Sequence, residues 1–357
     1  MNLSHIIKPS VLALETYAVK GKAPQPGLIK LNQNENPFDV PEDLKRELID
    51  EFFTLSWNRY PDVFPTVLLK ALSKYTNHPE DGIIAGNGSN ELMYTILMAS
   101  VSKGSKVLIP SPSFFLYEKA AKVFDGIVVT VMMNEDLSFA TERILQTARD
   151  EQPAVIVLVS PNSPTGQSIS IGDVERILSQ TSALVIVDEA YIEFSEKESA
   201  QSLIEKYDRL VILRTFSKAF SMAGLRVGYL LAQPLLCAEL LKAKIPFTVN
   251  FLSAAVAMKL MERNRIVIER IAFIKSQRDF LLRSLQAING IEVFPSDTNF
   301  LVFRTFHEAK SLFDALLARN VLVRDVSSYP MLERTLRVNA GTENENKTFL
   351  STLQQCL

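Results

Sequence analysis

Short apolar runs recur through the middle of the chain: Lys106–Ile109, Ile127–Val131, Ala154–Val159, Leu184–Val187 and Leu210–Leu213. Between them, residues 114–124, 141–150, 171–180 and 199–206 have the character of helices. Continuous Val/Ile/Leu runs that alternate with helices predict a mainly parallel sheet covered on both faces, an α/β fold. In such sheets ligands sit beyond the carboxyl ends of the strands. Most of the chain's unusual motifs fall at one of those ends.

Upstream, Leu28–Leu31 reads as a short strand leading into an Asn-rich loop, Asn32–Pro37. A loop with this much hydrogen-bonding capacity suits a site wall as well as it suits a solvated turn. Pro41–Phe53 has helical spacing (Leu44, Leu48, Phe52) behind an acidic start, and a second helix carries Leu68, Leu69 and Leu72. Gly86–Glu91 then opens an apolar helix, Leu92–Val101. After Pro246 the pattern changes to long helices over 251–285, followed by strand-like runs at Ile291–Val293, Asn299–Phe303, Val321–Val323 and Thr335–Val338. This divides the chain into an arm (1–27), a large domain (28–246) and a smaller α+β domain (247–357), against which the arm is expected to pack.

With 357 residues, 47% of them hydrophobic and 22% charged, the chain has the material for a large core in two lobes. A net charge of -2 and a pI near 6.1 argue against a nucleic-acid surface. Cys237 and Cys356 form no disulfide pattern and fit a reducing compartment, and three scattered histidines suggest no metal site. The first residues lack the apolar core of a secretory signal, and no apolar run approaches a membrane span. A cytoplasmic protein is the expectation.

The candidate chemistry centres on Arg214–Arg226, which follows the strand-like Leu210–Leu213. Lys218 lies among Phe216, Phe220 and Met222, where partial desolvation lowers an amine's pKa and frees it as a nucleophile. Thr215, Ser217 and Arg226 add hydroxyls and a fixed cation, suited to holding a phosphate. A lysine beside a phosphate clamp is what pyridoxal phosphate requires. The same residues also suit an ordinary surface loop. At Gly86–Glu91, Gly88, Ser89 and Asn90 can make either a phosphate cradle at a helix N-terminus or a plain cap. Asp188 ends a core strand, where it can pair with a pyridine nitrogen or merely cap the next element. Asn162, in the proline-fixed loop Ser160–Gly166, can face a phenolic oxygen or serve a turn. Phe114 can stack on a flat ring or belong to the core.

The ordered segments LNQNENP (31–37), NRYPD (58–62), GNGSNEL (86–92), PNSPTG (161–166), VDEAYIEF (187–194), RTFSKAFSMAGLRVGY (214–229), VLVRD (321–325) and LRVNAGTENEN (336–346) resemble the histidinol-phosphate aminotransferases. These are fold-type-I enzymes dependent on pyridoxal phosphate, and the resemblance runs from about residue 28 to the end of the chain. It implies a mainly parallel sheet of the seven-stranded type and transamination of L-histidinol phosphate with 2-oxoglutarate, giving imidazole-acetol phosphate and glutamate. Lys218 would be the Schiff-base lysine and the proton carrier between substrate and cofactor. Asp188 would pair with the pyridine nitrogen, Asn162 and Tyr191 with the phenolic oxygen, and Phe114 would stack on the ring. Gly88, Ser89, Asn90, Thr215, Ser217 and Arg226 would surround the phosphate, with Tyr60 supplied by the neighbouring subunit of a homodimer. Arg337 would grip an α-carboxylate. Arg324 would meet the substrate phosphate, with Asn34 and Asn36 nearby.

Two positions depart from the family wording: Asn90 where Asp is common, and Ser221-Met222 where Gly-Leu or Ala-Leu is common. Neither is expected to supply a catalytic side chain, so they bear on substrate preference. The rival readings are an aromatic or broad-specificity aminotransferase, a threonine-phosphate decarboxylase, and a non-catalytic regulator that senses pyridoxal phosphate. A regulator of that kind would carry a DNA-binding segment, for which the arm is too short. A generic nucleotide binder is disfavoured, because neither GxxxxGK[ST] nor GxGxxG occurs.

Overall fold

The computed structural model describes residues 5–16 and 27–357. Its centre is a seven-stranded sheet in the order Ile83–Gly86, Gly228–Leu231, Leu210–Thr215, Leu184–Asp188, Val155–Val159, Lys106–Ser111 and Ile127–Met132. Six strands run in one direction, and Gly228–Leu231 opposes both of its neighbours. Alternate residues of the central strands enter separate cores. Val155, Val157 and Val159 face one layer with Leu92, Ile96 and Tyr117, whereas Ile156 and Leu158 face the other with Ile144 and Ile177. Burial on both faces is why these strands read as unbroken apolar runs.

Three elements differ from the pattern-based expectation. Residues 199–206 form only a single 3-10 turn, Ala200–Leu203, because the Glu189 carboxylate takes both the Ser199 hydroxyl and the Ala200 amide. The 251–285 region is two helices, Phe251–Glu262 and Asn264–Gln286, interrupted at Arg263, which pairs with Asp43 at 2.6 Å and Glu47 at 2.8 Å. The strand Ile29–Lys30, expected in the large domain, pairs in parallel with Val321–Leu322 of the smaller one, and Leu31 N–H continues the ladder onto Leu322. The other C-terminal strands form an antiparallel sheet in the order Arg324–Asp325, Thr335–Asn339, Phe300–Thr305 and Ile291–Val293.

Residues 1–4 and 17–26 of the expected arm lie outside the described residues. Among the described residues, the arm's hydrogen bonds to the rest of the chain run to the helix Leu116–Val123 and the turn after it. Lys8 and Ser10 both donate to the Asp125 carboxylate, at 2.8 and 2.6 Å, and Lys119 donates to the Glu15 carbonyl. Asp125, in the turn after the helix Leu116–Val123, offers two acceptor oxygens that a lysine and a serine on one short helix can reach together. Leu14 to Thr16 also border a cavity whose far wall comes from the small domain, at Lys310 and Tyr329. No helix among the described residues is long and apolar enough to cross a membrane.

Candidate active site

The carboxyl ends of the central strands open into a cavity of about 540 Å³, closed on its other sides by the Asn32–Glu35 loop and by Arg324, Tyr329 and Arg337 of the small domain. Each strand end contributes a different group. Leu184–Asp188 delivers Asp188 and then Tyr191, Leu210–Thr215 delivers Thr215, Ser217 and Lys218, and the next turn returns Arg226.

Lys218 Nζ donates to the Gln33 carbonyl at 2.9 Å and lies 5.8 Å from the Tyr191 ring centre. Loss of water around the amine lowers its pKa; Tyr191 opposes the shift, and the positive charges of Arg337 and Arg226 add to it. The bond to Gln33 holds the amine over the cavity, where the nearby Glu35 carboxylate only partly offsets the loss of water. Asp188 is only 6% exposed, and burial raises its pKa to about 6 against the pull of hydrogen bonds from Tyr117 and the Ala190 amide. Tyr191 accepts from Asn34 Nδ2 at 2.9 Å, and its ring meets Phe300 edge-on at 5.4 Å.

A cup for an anion forms where the helix Ser89–Ser100 begins. Its N-cap is Gly88, which has no side chain to satisfy the first-turn amides, whereas Ser170, Asn250 and Thr342 cap their own helices. Ser89 and Asn90 instead border the cavity, opposite Ser217 and Arg226. Arg226 Nη1 donates to Ser217 Oγ at 3.0 Å, and Ser217 Oγ lies 3.0 Å from Thr215 Oγ1. The cup depends on glycine twice. A Cβ at Gly88 would fall 2.3 Å from Arg226 Nη2, and one at Gly228 would fall 2.3 Å from the Ser89 amide nitrogen. Open amides, two hydroxyls and a guanidinium around one small space fit a phosphate.

Arg337 and Arg324 occupy opposed register positions on neighbouring strands, so the small domain aims two guanidinium groups at the same cavity. Arg337 is braced by Ser163 Oγ at 3.1 Å and the Asn32 carbonyl at 3.0 Å, with its guanidinium over the Phe300 ring. Phe114 borders the cavity too and touches Phe115 and Tyr117 edge-on.

Four expected site residues do not line the cavity: Gly88, the N-cap beside the cup, and Asn162, Asn36 and Tyr60. Asn162 is fully buried, with Nδ2 on the Pro112 carbonyl at 2.9 Å and Oδ1 without a hydrogen-bond partner among the described residues. Asn36 turns its side chain to the Ala219 carbonyl and to the Phe38 amide, bracing the loop from below. Tyr60 is 81% exposed and stacks on Phe247 at 4.8 Å, away from this chain's own cavity. Conversely, Gln33, Tyr117 and Ser163 touch Lys218, Asp188 and Arg337 without having been singled out in the sequence. Only Tyr117 left a usable trace, since it follows Phe114 by three positions and so shares its side of the turn.

Comparison with known proteins agrees with this geometry. The model of the class I and II aminotransferases matches residues 26–353. The histidinol-phosphate aminotransferase of Prosthecochloris aestuarii is 43% identical over 354 residues, 99% of this chain and 98% of that protein. The chain belongs to the histidinol-phosphate aminotransferases. Among solved structures, that of the family member from Clostridium acetobutylicum superposes with a TM-score of 0.84 at 27% identity, covering 92% of this chain and 98% of that one. The Sinorhizobium meliloti aminotransferase, solved in complex with pyridoxal-5'-phosphate, shares the fold with a TM-score of 0.88 at 20% identity, covering 98% and 97%. The fold-type-I aminotransferase architecture is therefore the one this chain adopts.

Proposed function

We propose that the chain is a pyridoxal-phosphate-dependent aminotransferase that interconverts L-histidinol phosphate and 2-oxoglutarate with imidazole-acetol phosphate and glutamate, acting as a cytoplasmic homodimer. The observation that carries the reading is the convergence in one cavity of a neutralisable lysine, a strand-end aspartate, an uncapped helix N-terminus and two small-domain arginines. Bound pyridoxal phosphate supplies an aldehyde for amino groups and an aromatic electron sink for charge developing at the substrate Cα.

The chain's residues do the rest. The Ser89–Asn90 amides, Ser217 and Arg226 would hold the phosphate, and Thr215 orients the Ser217 hydroxyl. Asp188 would keep the ring nitrogen protonated. Tyr191, itself fixed by Asn34, would stand near the phenolic oxygen, and Phe114 would cover one ring face. Asn162, held by its bond to the Pro112 carbonyl, would be the further partner of the phenolic oxygen. Lys218, with its pKa lowered by burial, would anchor the cofactor and then carry the proton to and from Cα. Arg337 would receive a carboxylate as a fork held by Ser163 and Asn32, and Arg324 the phosphate of histidinol phosphate. Tyr60, exposed on this chain, would serve the phosphate site of a second copy.

Arg324 separates this reading from an aromatic aminotransferase, because a phosphate-bearing substrate needs a cation that a neutral aromatic one does not. Replacing Arg324 with Met should lower kcat/KM for histidinol phosphate by about 10- to 100-fold, the equivalent of one charge-assisted hydrogen bond, whereas any side activity on phenylalanine, which carries no phosphate, would be unaffected. If the parent enzyme uses phenylalanine as well as histidinol phosphate, it is a broad aromatic aminotransferase. If it releases CO2 from threonine phosphate, it is a decarboxylase.

A further inference from the structure

Tyr117 is fully buried on the helix Leu116–Val123, and its hydroxyl donates to Asp188 Oδ2 at 2.8 Å. The other carboxylate oxygen, Oδ1, accepts the Ala190 amide at 3.1 Å. The buried Tyr117 hydroxyl keeps its proton and so remains a donor, because burial and the neighbouring carboxylate push its pKa well above the ordinary tyrosine value. Packing alone does not require this hydroxyl. The Tyr117 ring already contacts Phe114 and the apolar layer around Leu92 and Ile96, where phenylalanine would fit equally well.

Resting on the reading of Asp188 given above, we propose that Tyr117 is a positioning residue for the cofactor, holding one oxygen of Asp188 so that the carboxylate is fixed toward the ring nitrogen of pyridoxal phosphate. An oxygen that accepts from a buried hydroxyl favours the ionised carboxylate, the form that can keep a pyridine nitrogen protonated. The opposing influences are burial itself and the adjacent Glu189. The remaining charged groups that share the cavity are Lys218, Arg226, Arg324, Arg337 and Glu35. Of all these groups, Tyr117 alone makes a side-chain hydrogen bond to Asp188.

The sign of the pH effect follows from the direction of the Asp188 shift. A carboxyl whose folded pKa is raised to about 6 binds its proton more tightly folded than unfolded. Its contribution to stability is therefore fully present below about pH 4 and is lost as the pH rises toward 6. Removing the Tyr117 hydroxyl raises the folded value further and extends that loss to higher pH.

The test compares the parent, Tyr117→Phe, Asp188→Asn and the double variant as apoproteins. Urea stability is measured from pH 4 to 8, and pyridoxal phosphate affinity is measured by absorbance titration. Tyr117→Phe should lose more stability than the parent between pH 6 and 8, an excess on top of the Glu193 titration common to both, and should bind the cofactor about tenfold more weakly. Neither difference should survive in the Asp188→Asn background. A Tyr117→Phe protein with a uniform stability loss but the parent's pH window and cofactor affinity would show that Tyr117 only packs, and would overturn the proposal. Failure of the parent to bind pyridoxal phosphate would overturn the functional reading as well, so the two failures are distinguishable.

Discussion

Adding one methyl group at Gly88 tests the anion cup with the smallest possible change. Gly88 sits at φ 78° and ψ 161°, a region that only glycine occupies without strain, so Gly88→Ala should cost ~1–3 kcal/mol in the backbone alone. The new Cβ would lie 2.3 Å from Arg226 Nη2 and 2.9 Å from its Cζ. The guanidinium is the movable partner in that clash, so relief comes from swinging Arg226 out of the cup and breaking its 3.0 Å contact with Ser217 Oγ. Loss of one hydrogen bond to a charged group is worth about 1.5–3 kcal/mol, or roughly 10- to 150-fold in affinity. Titrating the purified apoprotein with pyridoxal phosphate, beside a urea unfolding curve, reads both effects. Because the methyl acts through Arg226, Gly88→Ala should weaken binding little further in an Arg226→Ala background. An alanine variant that binds pyridoxal phosphate within twofold of the parent would refute the assignment of this cup to the phosphate.

Other consequences can be measured independently. Glu189 and Arg214 form a buried pair at 2.9 Å, joined by Ser199 and the Ala200 amide. Glu189→Gln should destabilise the fold by about 3–5 kcal/mol in urea unfolding at pH 7, and a loss below about 1 kcal/mol would contradict the pairing. Glu193 is pushed up to about 7 by burial, partly offset by Arg214, so its stabilising contribution is present below about pH 4.5 and disappears as the pH rises to 7. Glu193→Gln should flatten stability across that interval, and an unchanged pH profile would show that Glu193 titrates normally. Arg337→Lys cannot make both the Ser163 and Asn32 contacts and should raise KM for glutamate about tenfold or more, with urea stability preserved; an unaltered KM would move the carboxylate site elsewhere.

The parts of the fold that were legible in sequence share one physical property. Val155–Val159, Leu184–Asp188 and Leu210–Thr215 are buried on both faces, and burial on both faces writes an unbroken apolar run. Ile83–Gly86 and Gly228–Leu231 are equally buried, yet they are four residues each and carry glycines where the backbone approaches the cup, so no run announced them. The pairing of Ile29–Lys30 with Val321–Leu322 joins positions almost three hundred residues apart, which no local pattern records. At the site, Lys218, Asp188 and Arg226 stood out because a strand end or loop of unusual chemistry carried each one. Gln33 acts through its carbonyl, which no side-chain motif can reveal. Asn162 and Asn36 belong to conspicuous loops, and their amides donate to the Pro112 and Ala219 carbonyls. Loop composition showed their hydrogen-bonding capacity but not its direction.

The central claim is that the Lys218 amine holds pyridoxal phosphate and passes a proton on histidinol phosphate. Its most direct test is a single-turnover absorbance titration of the holoprotein beside Lys218→Ala. The parent should show a visible band from the lysine-bound cofactor, lost on addition of low histidinol phosphate and restored by 2-oxoglutarate, and Lys218→Ala should lack both the band and the restoration. A parent protein that forms no such band with added pyridoxal phosphate, or a Lys218→Ala variant that cycles as the parent does, would contradict the assignment of the site and of the reaction.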